Sequence, residues 1–182
     1  GPEERVAVDA VLASGGMAQG PQVEAFVSEF AALVDGRQCI AVNSGTSALH
    51  LALLGLGVGP GDEVIVPSFT FAATANVVAL CGATPIFADI DATSFCLSPD
   101  AVEAAITSRT RAIMPVHLYG HPAAMNRLLP IAARHDLLII EDAAQAHAAS
   151  LDNKHVGAFG EAGCFSFYPT KNMTAGEGGM VT

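Results

Sequence analysis

Residues Gly163–Thr182 read GCFSFYPTKNMTAGEGGMVT, and the interpretation of this stretch decides how the rest of the chain is taken. Cys164–Tyr168 is a short apolar run rich in aromatics, the pattern of a buried strand. Pro169 stops it, and Lys171 follows where strand gives way to loop. The cluster Gly176-Glu177-Gly178-Gly179 then calls for tight backbone turns before a last apolar run, Gly179–Thr182. A lysine just past a buried strand is usually an ordinary surface residue. The alternative is an amine in a desolvated site, where its pKa falls and it becomes a nucleophile toward carbonyls. Lys171 alone does not choose between them; its companions upstream do.

Working outward, the chain alternates strand and helix. The predicted strands are Cys39–Val42, Glu63–Val66, Pro85–Ala88, Ala112–His117, Leu137–Glu141, Cys164–Phe167 and Gly179–Thr182. Helices are predicted at Ser47–Leu56, Ala72–Cys81, Asp100–Ile106 and Ala123–His135, with Ser98-Pro99 opening the third. The strands are continuous apolar runs rather than alternating ones, so the sheet is expected to be mostly parallel, seven-stranded and covered on both faces: a three-layer α/β/α architecture. Two helices are predicted earlier, Val6–Leu12 and one spanning Val23–Leu33 and capped by Gly36. The expected organisation is therefore a helical segment over residues 1–36 and a single α/β unit over 37–182, with no internal repeat or low-complexity stretch.

Composition narrows the partners. The 182 residues are 51% hydrophobic and 14% charged, enough for a sizeable core. Eighteen Asp and Glu against 8 Lys and Arg give a formal charge of −10, which argues against nucleic acid or an anionic membrane as the main partner. No run approaches the roughly 18 uninterrupted apolar residues of a membrane span. Cys39, Cys81, Cys96 and Cys164 are widely spaced within or beside apolar segments, which suits buried thiols in a reducing cytoplasm.

In sheets of this kind ligands bind beyond the carboxyl ends of the strands. After the first strand, Asn43-Ser44-Gly45-Thr46-Ser47 opens directly into a helix, either a plain N-cap or a phosphate nest. Neither GxxxxGK[ST] nor GxGxxG occurs, so a nucleotide-binding loop is unsupported. After the second strand, Phe69 and Phe71 flank Thr70 and are either core or a stacking surface for a flat ligand. Asp142 stands at the end of the fifth strand, with Gln145 one helical turn on. His117 and His121 are four apart, but Gly120 and Pro122 disfavour the helix that would align them on a metal, so no metal site is expected. Phosphate nest, stacking aromatic, strand-end Asp and strand-end Lys together describe pyridoxal phosphate. Its phosphate is anchored, its ring stacked, its pyridinium nitrogen paired with a carboxylate and its aldehyde held as an imine by lysine.

The blocks QGPQVEAF (Gln19–Phe26), VNSGTSALHLAL (Val42–Leu53), GPGDEVIVPSFTFAATAN (Gly59–Asn76), GATPIFADID (Gly82–Asp91), PVHLYGHPA (Pro115–Ala123), IIEDAAQAH (Ile139–His147) and FSFYPTKNMTAGEGGMVT (Phe165–Thr182) follow one another along nearly the whole chain. In these the sequence resembles the DegT/DnrJ/EryC1/StrS family of sugar aminotransferases, fold type I enzymes that use pyridoxal phosphate. The resemblance implies that Lys171 holds the cofactor aldehyde, Asp142 pairs with its ring nitrogen, Gln145 lies against the ring near its hydroxyl, and Phe71 stacks on it. Thr46, Ser47 and Ser166 would bind the phosphate. It further implies an amino-acid donor, glutamate or glutamine, a nucleotide-linked keto-sugar acceptor, and a homodimer with its active site at the interface. Ala124 and Asn126 stand where acidic residues are common in the family, at a surface helix start.

Two other readings remain open on the sequence. Sugar dehydratases of the same family carry His where this chain has Lys171, which argues against that activity. A non-catalytic paralogue or partner subunit would not need Lys171, Asp142, Gln145 and Ser166 together. The chain starts at Gly1 and stops inside an apolar run at Thr182, so both ends read as cut. The resemblance implies a large domain without its C-terminal small domain, and the 182-residue chain alone is expected to be inactive.

Overall fold

The computed structural model describes residues 1–182. Two helices, α1 (Pro2–Ser14) and α2 (Pro21–Leu33), lead into β1 (Ile40–Val42) and α3 (Gly45–Gly55). Then come β2 (Glu63–Pro67), α4 (Ala73–Leu80), β3 (Thr84–Ala88), α5 (Pro99–Ala105), β4 (Thr110–Ile113), a 3-10 turn (Leu118–Gly120), α6 (Met125–His135) and β5 (Leu138–Asp142). A small hairpin of β6 (Ser150–Leu151) and β7 (Lys154–His155) precedes β8 (Ala162–Ser166) and β9 (Gly179–Val181). Seven strands form one sheet in the order β1-β9-β8-β5-β4-β2-β3. All neighbouring pairs are parallel except those of β9, which runs antiparallel between β1 and β8.

The continuous apolar strands are explained by layers on both faces. Val64 and Val66 of β2 and Ile140 of β5 pack with Leu53 of α3 and Val77 of α4. Their sequence neighbours Ile65 and Ile139 pack with Val102 of α5 and Leu128 and Ile131 of α6 on the other side. Alternate residues thus enter opposite cores, the period-two geometry of a strand. A third cluster joins Phe30 and Val34, at the end of α2, to Phe165, Phe167 and Met180. α1 buries none of its residues.

Local chemistry sets the ends. The Ser44 hydroxyl caps α3 by accepting from Ser47 N at 3.1 Å, and Ser98 caps α5 ahead of Pro99. Helix α1 outruns its apolar pattern, from Pro2 in its first turn to Gly15 at φ 71°. β4 ends at Ile113 rather than His117 because Pro115 has no N–H for the ladder, although Val116 still bridges to Asp142. Helix α6 starts at Met125 rather than Ala123, whose N–H ahead of it is donated to His117 Nδ1 at 3.0 Å. The β6–β7 hairpin carried no readable pattern; Asp152 and Asn153 turn it with φ of 53° and 61°. Cys81, Cys96 and Cys164 are buried, Cys39 is half-buried, and burial pushes all four thiols up. No helix is long and apolar enough to cross a membrane.

Candidate active site

The carboxyl ends of β5 and β8 and the turn after β1 converge on one cavity of about 460 Å³. Asp142, the last residue of β5, forms part of its wall and is only 4% exposed. Thr74 Oγ1 donates to Asp142 Oδ2 at 2.8 Å, and Ala144 N donates to Oδ1 at 3.2 Å. Thr74 also shares a 3.0 Å hydrogen bond with Thr70. Burial pushes the Asp142 carboxyl above the usual carboxylate range; the Thr74 and Ala144 donors oppose it, as do the charges of His117 and Lys171. No cation forms an ion pair with Asp142, so this buried carboxylate lacks the partner its charge calls for.

Beside it the amino end of α3 lies against β8 and β9. A Cβ on Gly45 would come within 2.6 Å of Ser166 Cβ, and one on Gly179 within 2.3 Å of the Ser44 carbonyl oxygen. Only glycine permits this approach, which sets Ser44, Gly45, Thr46 and Ser166 together on the cavity wall. The first N–H groups of a helix have no intrahelical acceptor and favour an anion.

Lys171, in the loop between β8 and β9, lines the cavity and is half-buried, its backbone N–H donated to Tyr168 O at 2.9 Å. Phe71 stands at the rim, 71% exposed. Gln145 Oε1 accepts from Tyr119 N at 2.8 Å, which leaves the Gln145 amide NH2 free to donate. A second, more open cavity of about 370 Å³ adjoins the first and shares Gln145, Thr170 and Lys171 with it.

Six of the seven residues singled out from sequence therefore meet here: Thr46, Phe71, Asp142, Gln145, Ser166 and Lys171. Ser47 does not line the cavity, because its N–H and hydroxyl both bond Ser44 Oγ in the helix cap. Phe69 turns away toward Phe95, with ring centroids 6.3 Å apart. The two histidines are not arranged to share a metal: His117 Nε2 is bonded to Glu141 at 3.0 Å and Nδ1 to Ala123 N. Sequence reasoning missed Thr70, Thr74, Tyr168, Thr170 and Glu177 at this site. The one available signal was Thr74, which with Asn76 is one of only two polar residues in α4.

A buried carboxylate without a cation, a small-residue helix terminus and a neighbouring lysine fit the ring nitrogen, phosphate and aldehyde of pyridoxal phosphate. The model of the DegT/DnrJ/EryC1/StrS aminotransferase family matches residues 1–182. The chain belongs to that family. Among DegT/DnrJ/EryC1/StrS relatives, the dTDP-3-amino-3,4,6-trideoxy-alpha-D-glucose transaminase of Streptomyces venezuelae is 51% identical over 180 residues, 98% of this chain and 48% of its own. Streptomyces venezuelae DesV, solved in complex with a ketimine intermediate, superposes with a TM-score of 0.92 at 48% identity, over 100% of this chain and 50% of that one. Bacillus subtilis ntda, solved with bound cofactor PMP, gives 0.90 at 40% identity, over 96% and 40%. The chain spans about half the length of the curated relatives it matches. Its α/β architecture, with a mostly parallel seven-stranded sheet, is that of the fold type I aminotransferases.

Proposed function

We propose that the protein is a pyridoxal-phosphate-dependent aminotransferase that moves an amino group from glutamate or glutamine to a keto group of a nucleotide-linked sugar. The observation that carries this reading is Lys171 lining the same cavity as the buried carboxylate of Asp142, which has hydrogen-bond donors but no ion pair. Relatives that act on nucleotide sugars and bind PMP support the substrate class and the cofactor.

Bound here, the cofactor would supply an electron sink for a carbanion at the amine-bearing carbon. The chain supplies the rest. Asp142, only 4% exposed, would provide the negative charge that keeps the ring nitrogen protonated. Thr46, Ser166 and the free N–H groups opening α3 hold the phosphate, with Ser44 fixing the helix start. Phe71 would cover the ring, and the free NH2 of Gln145 would be available to its hydroxyl. Lys171 Nζ would hold the aldehyde and, as a free amine, would take and return the proton of the amine-bearing carbon. Ser47 acts through the cap that orders Ser44.

In this reading residues 37–182 are the cofactor-binding unit and 1–36 a helical segment leading into it. A homodimer with the site at its interface is supported by the aromatics Phe69, Phe71 and Phe95, each at least 46% exposed, of which Phe71 stands at the cavity rim. Four unpaired thiols support a reducing compartment, the cytoplasm. The test is borohydride reduction of the cofactor-loaded protein followed by peptide mapping. Label is expected on Lys171 and lost in Lys171→Ala; label persisting elsewhere on the chain defeats the assignment.

A further inference from the structure

We propose that His147 is a positioning residue: through its hydrogen bond to Asn172 it holds the Lys171 loop in register with Asp142 and Ser166. The inference rests on the reading of Lys171 as the residue that holds the cofactor. His147 lies five residues beyond Asp142, in the segment that also carries Gln145, and is 7% exposed. Its Nδ1 is 2.7 Å from Asn172 Oδ1. Its ring packs on Phe165 and Phe167, the two residues flanking Ser166, with centroids 5.5 and 5.4 Å away. One side chain thus touches the segment of the carboxylate, the strand of the phosphate-site serine and the neighbour of the lysine.

That contact matters because the lysine loop has little else to fix it. The Lys171 side chain forms no ion pair, and Thr170, Asn172 and Met173 are exposed. Among residues 169–173 the only side-chain hydrogen bond is the one that Asn172 Oδ1 accepts from His147 Nδ1. Asn172 also lines the second cavity, beside Lys171, so its placement shapes the approach to the amine.

The imidazole is not explained by packing. A phenylalanine would fill the same space against Phe165 and Phe167, whereas the ring buries Nε2 with no hydrogen-bond partner. An amide oxygen accepts and cannot donate, so Nδ1 carries the proton and Nε2 is bare. Burial favours this neutral form and holds the His147 pKa below its ordinary value; the Asn172 hydrogen bond and the Ser166 backbone, which would take a proton from a charged ring, oppose the shift, and the nearby charge of Lys171 adds to it. A bare nitrogen is tolerated for the sake of the Nδ1 bond.

The experiment measures the rate at which added pyridoxal phosphate becomes attached to the apoprotein, followed by its visible absorbance, with borohydride mapping and apoprotein melting alongside. His147→Phe and Asn172→Ala should each slow attachment about tenfold, the effect of one hydrogen bond. The double variant should be no slower than either single one. His147→Asn, which keeps an amide N–H near the Nδ1 position, should stay within about twofold of wild type, and His147→Gln, which moves it outward, should not. Asn172 is a surface residue, so Asn172→Ala isolates the bond even where a ring substitution disturbs the core. Wild-type rates in Asn172→Ala overturn the proposal, as do losses that multiply in the double variant. Label on wild-type Lys171 together with unchanged variant rates overturns this inference alone; no label on wild-type Lys171 overturns the proposed function as well.

Discussion

Asp142→Asn should push cofactor affinity and apoprotein stability in opposite directions. The substitution removes the charge and nearly keeps the shape. Asn Oδ1 can still accept from Ala144 N, and the Thr70–Thr74 pair, whose 3.0 Å bond works in either sense, can reverse so that Thr74 accepts from the new NH2. No buried donor is orphaned. What is lost is a charge-assisted hydrogen bond to the ring nitrogen, about 1.5–3 kcal/mol, or roughly 10- to 150-fold in cofactor affinity. Turnover should fall further, on the order of 10²–10³-fold, because the charge matters most where the carbanion develops. The apoprotein should behave the other way. A carboxyl whose pKa rises on folding contributes stability that is complete below its unfolded value and is lost as pH climbs through the folded value. Burial raises Asp142, so wild type should melt below Asp142→Asn at neutral pH, and the gap should close below pH 3.8, the ordinary aspartate value. Equilibrium cofactor titration and apoprotein melting against pH read the two effects separately. Equal melting at every pH, or cofactor affinity as in wild type, would show that Asp142 is only a structural strand end.

Gly45→Ala sets a methyl 2.6 Å from Ser166 Cβ, so α3 must back away at a cost of about 1–3 kcal/mol. Affinity for pyridoxal phosphate should fall while that for pyridoxal, lacking the phosphate, changes little in isothermal titration. Glu141→Gln replaces a fully buried carboxylate that accepts from Gly157, Phe159 and Gly160 N–H groups and from His117. An amide NH2 facing those donors should cost roughly 3 kcal/mol, read as a lower denaturant midpoint with unchanged slope.

Much of this was legible because both faces of the sheet are covered. Val64-Ile65-Val66 and Ile139-Ile140 must be apolar at every position, and such runs stand out. Asp142 and Lys171 stood out for a related reason, as polar residues at the ends of apolar runs, whereas Ser166 was reached only through the family resemblance. Thr74 and Glu141 did not stand out. Thr74 reaches Asp142 from a residue 68 positions away, and the oxygens of Glu141 are satisfied by backbone N–H groups of a loop that no periodicity marks. Ser47 was less legible because a helix cap and a phosphate site use the same residues, and only geometry shows its N–H and hydroxyl bonded to Ser44 Oγ, off the cavity wall.

The antiparallel strand β9 has a consequence for the order of assembly. Ile40 pairs with Val181 across a separation of 141 residues, and Gly179 is what the start of α3 rests on. Until β9 threads between β1 and β8, the amino end of α3 has only β8 behind it and lacks the contact of Ser44 with Gly179. A chain emerging from the ribosome therefore presents Asp142 and then Ser166 well before it can grip a phosphate, and joining β1 to its partner waits on the slowest kind of contact, a long-range one. Cofactor capture becomes a late event, a seal set on the finished sheet rather than a template for building it.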